Sequence, residues 1–312
     1  MSDRPENHRL EDVPAVVVVG AACRDVAGND RRGWRLGGGV TYSALTIARL
    51  GLRTAALLGA DDPAATVAER DLLRLAGVDV RIVALERGPV FENVETPEGR
   101  IQIAGSPSDP LLVGALPAAW HHARAWLFGP VADELPGEWA DVPSADAIVG
   151  LGWQGLLRIL VAGERVRHRA PTSSALVSRA DIIGVSRDDL GPDAVVADLR
   201  HLMRPGATFV LTEGRLGGLA VSTGPDGADR MHHYPAIRPA SIVDPTGAGD
   251  VFLAALLAAR AEPRLVGGRL DRHLDLKLGA AVASLVLERP GLLGVPDRPA
   301  VRARMMTPGA PA

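Results

Sequence analysis

The sequence predicts an α/β fold: a mainly parallel sheet with helices on both faces and a small β lid at one edge. Three observations carry that prediction. Apolar β-branched runs alternate with stretches of helical period, a hairpin interrupts the alternation, and a long polar insertion precedes a glycine triplet. Residues 15–20 (AVVVVG) follow a proline and form the unbroken β-branched run of a strand buried on both faces. Residues 41–50 place apolar side chains at helical spacing, and Gly51 is a C-cap signal. A strand is expected over 53–59, a helix over 63–76 closed by Gly77, and a further strand over 78–85.

The alternation then breaks. Residues 90–96 alternate apolar and polar, Pro97-Glu98-Gly99 signals a turn, and 100–103 continue as a strand. The stretch 24–36 is too long and too polar for an ordinary βα loop. Two such excursions, about 24–37 and 88–104, suggest a lid over a site at the sheet edge, with surface decoration as the alternative. Strands then resume near 125–128, 145–150, 181–185 and 208–212, with a helix near 192–202. A hairpin over 218–222 and 230–234 turns at 224–227, two helices follow at 247–261 and 274–287, and the tail after Pro299 reads as loose. No repeat, low-complexity segment or linker divides the chain, so residues 1–312 read as a single domain.

Composition narrows the function. The chain has 312 residues, is 47% hydrophobic and carries a net charge of −3, enough for one large core and too balanced for a nucleic-acid surface. Residues 1–13 lack the basic-then-apolar pattern of a signal peptide, and no apolar run is long enough to cross a bilayer. The expectation is a cytoplasmic protein with no membrane partner. Cys23 is the only cysteine, which excludes an intrachain disulfide and a Cys-rich metal site. Lys277 is the only lysine and lies in a late helical pattern, so neither a Walker-A lysine nor a strand lysine beside a nucleotide is available.

The most informative stretch is 243–257, VDPTGAGDVFLAALL. Gly247, Ala248 and Gly249 lead into an apolar helix whose first N–H groups are unpaired, at the positive end of the helix dipole. That arrangement holds phosphate. Asp250 at the same point would repel phosphate, yet it fits a base that takes the proton of an alcohol attacking the phosphoryl group. A Gly-rich helix start with an ordinary first-turn acid fits the same residues, and residue chemistry alone leaves both open. The helix terminus is expected to keep Asp250 ionised at neutral pH.

Other motifs point elsewhere. Gly150-Leu151-Gly152-Trp153-Gln154-Gly155 matches G-x-G-x-x-G after a strand, but Trp153 and Gln154 crowd the turn and no strand ending in an acid follows about twenty residues on. An NAD enzyme is the reading it would support. His121-His122 and His232-His233 are adjacent pairs without zinc-ligand spacing, and no G-x-S-x-G motif occurs.

Asp244-Pro245-Thr246-Gly247-Ala248-Gly249-Asp250 resembles the C-terminal signature of the PfkB/ribokinase family of small-molecule kinases. Gly37-Gly38-Gly39, with Tyr42-Ser43-Ala44 and Arg49-Leu50-Gly51, resembles its N-terminal signature, with Ser43 where many members have Asn. Asp25 and Thr212-Glu213-Gly214 are weaker echoes. The resemblance implies a three-layer αβα ribokinase-like sheet with a β lid, and an ATP-dependent kinase. It makes Asp250 the base and Gly247, Ala248 and Gly249 the anion hole. Asp25, Gly38, Gly39 and Ser43 would bind the acceptor, and Thr212 and Gly214 the nucleotide. Ser186 and Asp189 stand where the family usually has the Asn and Glu that organise Mg2+ and phosphate, so Asp189 is the candidate magnesium residue. Asp244 and Thr246 would lie near a monovalent cation. Tyr42-Ser43, Val90-Phe91-Glu92, Gln154 to Arg158 and Asp244-Pro245 look closest to the inositol-kinase branch. The acceptor is then a sugar or polyol, inositol included. A nucleoside kinase and a non-catalytic binding protein are the alternatives. Trp34 is offered as a sugar platform or a dimer contact, and the lid edges as surfaces for a homodimer.

Overall fold

β1 (Val16–Ala21) is buried along its whole length. Val16 and Val18 enter one hydrophobic core and Val17 and Val19 another, because successive side chains of a strand point to opposite faces. The computed structural model describes residues 13–96, 99–191, 194–224, 226–268 and 272–306, and its main sheet grows outward from this strand.

β2 (Cys23–Val26) and β3 (Trp34–Gly37) leave the sheet directly after β1. α1 (Gly39–Arg49), β4 (Thr54–Ala60), α2 (Asp62–Thr66), α3 (Arg70–Leu75) and β5 (Asp79–Ala84) return to it. β6 (Val90–Thr96) and β7 (Gly99–Ser106) depart again. β8 (Ala125–Phe128), β9 (Ile148–Gly152), the short pair β10 (Arg158–Ile159) and β11 (Arg167–His168), and α4 (Ala175–Arg179) follow. β12 (Ile182–Ser186), α5 (Arg187–Leu190), α6 (Val196–Leu199) and β13 (Thr208–Thr212) continue the alternation. β14 (Gly218–Thr223), β15 (Asp229–Tyr234), α7 (Ala248–Ala261), α8 (Arg272–Val286) and α9 (Arg298–Met306) come last.

The main sheet runs β15-β14-β13-β12-β9-β8-β1-β4-β5 and is parallel from β13 to β5, with β14 and β15 added as an antiparallel hairpin. One face carries α1, α7 and α8; the other is closed by short helices around Trp126, Trp139 and Trp153. This is the expected α/β class. The ends of β1, β9, β12 and β13 all open on the same rim, which is where ligands bind in sheets of this kind.

Several expected boundaries shift. The helix over 63–76 divides, because Val67 takes an extended conformation between α2 and α3. The helix near 192–202 reduces to α6 and a 3₁₀ turn, with residues 192–193 outside the described set. Of the tail after Pro299, residues up to Met306 form a helix instead of a loose end, and 307–312 lie outside the described residues. Asp297 accepts the Ala300 N–H at 2.9 Å as a cap, Val301 is buried, and Arg304 bonds to Ser284 and Glu288. Its stripe of apolar side chains is too narrow to be read without the surface it covers. Residues 1–12, 97–98 and 225, which include parts of two expected turns, lie outside the described residues.

The two excursions meet in a single four-stranded sheet, β3-β2-β6-β7, joined by the parallel pair β2 and β6. Ion pairs fasten its near edge. Arg24 reaches Asp61 at 2.8 Å, and Arg32 pairs with Glu69. The guanidinium groups of these two arginines lie 5.8 and 4.9 Å from the Trp34 ring centre. The ring is therefore engaged by cations, not presented as a sugar platform.

Buried Glu134 fixes the end of β1 just before Asp25. Its carboxylate accepts the Ala21 N–H at 2.8 Å, the Val131 N–H at 3.0 Å and the Ala132 N–H at 2.8 Å. Burial pushes its pKa up, and these amides partly offset the rise. Glu134→Leu leaves three backbone donors, two of them buried, without an acceptor. It is expected to destabilise the fold by roughly 2–4 kcal/mol, read as a lower urea midpoint with unchanged slope.

Candidate active site

The Gly37–Gly39 triplet lies between β3 and α1, where side chains would collide with the site. A Cβ on Gly37 would overlap the Asp25 carboxylate, and one on Gly38, which has φ of 101°, would sit 2.6 Å from the Ala21 carbonyl oxygen. One on Gly39 would sit 2.8 Å from Asp250 Oδ1. The three glycines thus let two acids from distant parts of the chain pack on backbone. From the other side, Gly247 has φ of 80° and presses its α-carbon on the Tyr42 ring, leaving no room for a side chain. Ser43 Oγ donates to the Asp250 carbonyl oxygen at 3.4 Å. Tertiary contact joins the two signatures read separately in the sequence.

Asp250 stands in the first turn of α7, after Gly247, Ala248 and Gly249. Burial pushes its pKa from 3.8 up to about 7; Arg158 opposes the rise, and the charges of Asp189 and Asp25 add to it. This corrects the expectation of an acid held ionised at neutral pH. Desolvation and two neighbouring carboxylates outweigh the helix terminus. A carboxyl poised near 7 is a better proton acceptor than an ordinary aspartate. Buried Cys23 donates its S–H to Asp25 Oδ1 at 3.3 Å, and burial followed by the Asp25 charge keeps it protonated.

The candidate donor side is built at the ends of β12 and β13. Ser186 and Thr212 are direct neighbours in that pair. Ser186 Oγ caps α5 by accepting the Asp188 N–H at 3.3 Å, Thr212 Oγ1 donates to the Val185 carbonyl at 3.5 Å, and Gly214 has φ of 54°. Arg187 is paired with Glu213 at 3.2 Å.

Asp189 does not face outward as a metal ligand. Both its oxygens accept from Gln154 Nε2, at 3.0 and 2.9 Å, and Arg158 Nη2 lies 3.5 Å away. Asp244 is similarly committed. It accepts the Thr246 and Gly291 N–H groups at 3.0 Å and faces Arg35 at 3.4 Å. Burial raises its pKa, but those donors more than offset it and hold it below the usual range. Neither carboxylate therefore fits a metal as a free ligand, and no cluster of three or more His, Cys, Asp or Glu suited to a metal occurs among the described residues. Sequence reasoning missed the grouping of Arg158 and Gln154 with Asp189 and Asp250, and the clasp of Glu134. Lone polar residues after a strand carry no signal of what they meet.

A cavity of about 370 Å³ lies beside Asp25, between the four-stranded sheet and the loop before α7, lined by Asn29, Arg35, Tyr42, Asn93 and Asp244. The stretch after β9 is packing, not a dinucleotide turn. Trp153 is buried edge-on against Phe209 at 6.4 Å, and Gly155 abuts the Pro130 carbonyl.

Residues 168–298, which contain α7 and its glycine loop, match the model of the pfkB family carbohydrate kinase. That match covers less than half of the chain. A fructokinase of Klebsiella pneumoniae is 31% identical to it over 121 residues, 36% of this chain and 37% of that protein. The match thus spans little more than a third of that relative's length. Among solved structures, a pyrophosphate-dependent kinase in the ribokinase family, complexed with a pyrophosphate analog and myo-inositol, aligns with a TM-score of 0.71 at 20% identity. That alignment covers 92% of this chain and 99% of the other. Ribokinase of Arabidopsis thaliana, complexed with ribose and ATP, aligns with a TM-score of 0.66 at 20% identity, over 95% and 100% of the two chains. These likenesses establish the ribokinase-like fold, including the segments before residue 168 that the pfkB match does not reach.

The pKa of Asp250 has a stability consequence. The folded state binds its proton near pH 7 and the unfolded chain near 3.8, so ionisation opposes folding as pH rises through 7. Asp250→Asn is expected to raise Tm at pH 8 by roughly 2–4 °C, the gain shrinking as pH falls toward 4. Thermal melts at both ends of that range check the sign.

Proposed function

We propose that this protein transfers the γ-phosphoryl group of ATP to a hydroxyl of a small sugar or polyol, with a cyclic polyol of the inositol class as the first acceptor to test. One observation carries the reading. A carboxyl group with a pKa near 7 sits at the glycine-lined start of a long buried helix and packs on the glycine triplet beside Asp25.

In this reading the N–H groups of the Gly247–Gly249 turn hold the transferring phosphoryl group, at the positive end of α7. Asp25, with the backbone of Gly38 and Gly39, holds the acceptor hydroxyls. The acceptor oxygen attacks phosphorus, the bond to the ADP oxygen breaks, and its electron pair leaves with ADP. The acceptor proton passes to Asp250. Phosphoryl transfer has a loose transition state, so positioning supplies most of the rate. Magnesium, when bound, would supply counter-charge to the nucleotide phosphates, since Asp189 is held by Gln154 and Arg158. The four-stranded sheet covers this rim and excludes water as a lid.

The polar cavity favours a polyol over a nucleoside. Asn29, Arg35, Asn93 and Asp25 offer donors and acceptors, while Tyr42, the aromatic side chain in the lining, has its ring packed on Gly247.

Phosphorylation of myo-inositol, other polyols, sugars and nucleosides is to be measured with magnesium and ATP, and with pyrophosphate as a second donor. The expected result is turnover on a polyol or sugar that falls roughly 10²–10⁴-fold in Asp250→Asn. No turnover on any acceptor would defeat the kinase reading and favour a binding protein. kcat is expected to rise tenfold per pH unit below about 7 and level off above it, since Asp250 acts in its ionised form.

A further inference from the structure

Among the described residues, Arg158 is a buried charge that the fold leaves largely unexplained. It opens β10 and is buried, with its side chain only 9% exposed. One face of its guanidinium lies 5.4 Å from the Phe91 ring centre, on the four-stranded sheet. At one end Nη2 stands 3.5 Å from Asp189 Oδ1, a long ion pair, while Gln154 holds Asp189 more closely. Nε is fully enclosed and has no hydrogen-bond partner. A guanidinium has five N–H donors, and withdrawing them from water is costly unless they are used. The fold itself uses few of them.

The surrounding charges indicate what would use the rest. The charged side chains that bear on Asp250 are Arg158, Asp189 and Asp25, one cation against two further acids. A phosphoryl group arriving there would meet three carboxylates. Helix dipole and backbone amides offset part of that repulsion, and a side-chain cation must offset more. Lys277 is remote on α8, Arg187 is held by Glu213, and Arg35 is held by Asp244 and Asn29. Of these, Arg158 is the cation whose charge bears on Asp250, and it is buried with donors to spare.

We propose that Arg158 binds the transferring phosphoryl group, donating from its Nη groups to the peripheral oxygens while Asp250 faces the acceptor hydroxyl. The inference rests on the kinase reading for the identity of the anion. Arg158 keeps its protons throughout; the acceptor proton still goes to Asp250. Asp189 and Gln154 are positioning residues that set the plane of the guanidinium, and Phe91 closes over it. The departure at Asp189 from the usual Glu then acquires a purpose, since its shorter carboxylate serves as the anchor of an arginine.

The test compares the full chain with Arg158→Gln, Arg158→Lys and Arg158→Ala. With ATP and the best acceptor, Arg158→Gln is expected to lose about 10²-fold or more in kcat, with the acceptor KM changing less than about threefold. Arg158→Lys should recover part of that loss, and millimolar guanidinium ion should partly restore Arg158→Ala. A raised acceptor KM with kcat retained would overturn the proposal and make Arg158 a reader of acceptor hydroxyls. So would a lysine variant as inactive as the glutamine variant, with no rescue, at an unchanged thermal midpoint. Calorimetric titration with inorganic pyrophosphate separates this proposal from the kinase reading. Wild type should bind it and Arg158→Gln should bind at least about tenfold more weakly; equal affinities overturn the phosphoryl contact even if no acceptor is ever phosphorylated. Should the glutamine variant fail to fold, Arg158→Lys, which keeps the charge in place, carries the same titration.

Discussion

The close approach of the α7 entry loop to the glycine triplet before α1 is the constraint on which the rest depends. Asp250 packs on the backbone of Gly39, and Gly247 packs on the ring of Tyr42. Neither contact tolerates a Cβ on the glycine. Two segments some two hundred residues apart are thus brought to one point, and the acid of one segment lies beside the acid of the other. The elevated pKa of Asp250 follows from that geometry, because a carboxylate enclosed by backbone and faced by Asp189 and Asp25 is poorly solvated.

The cost of this arrangement is distributed through the surrounding structure. Glu134 ties the end of β1 to the 131–132 turn through three amides, which sets where β2 and Asp25 begin. Arg24 and Arg32 tie the four-stranded sheet to Asp61 and Glu69 on the helical side, and the parallel pair of β2 and β6 holds its two halves together. Asp244 draws the entry loop of α7, the 291 turn and Arg35 of β3 onto one carboxylate. Charges placed in this way position other groups more than they add stability, since buried ion pairs roughly balance their own desolvation.

Much of the fold was legible because periodicity is a local property. The unbroken valines of β1, the alternation of 90–96 and the apolar length of α7 each announce one element, and each is found. Both excursions were legible as interruptions, although only the structure pairs β2 with β6 to make them one sheet. The division of the helix at Val67 and the helix after Asp297 were not legible. Each depends on what a marginal segment packs against, and propensity cannot weigh that.

The sequence by itself determined the alternating α/β pattern, the glycine-rich entry to α7 and the identity of the acid placed in it. Those are properties of neighbouring residues, set by backbone freedom and helix termini. Tertiary structure decided which groups face that acid. Nothing in the stretch from Gln154 to Arg158 foretells that its two polar ends converge on Asp189, or that a buried guanidinium there keeps an unused donor. Local chemistry names a reactive group, but its pKa and its partners come from residues that only folding brings near.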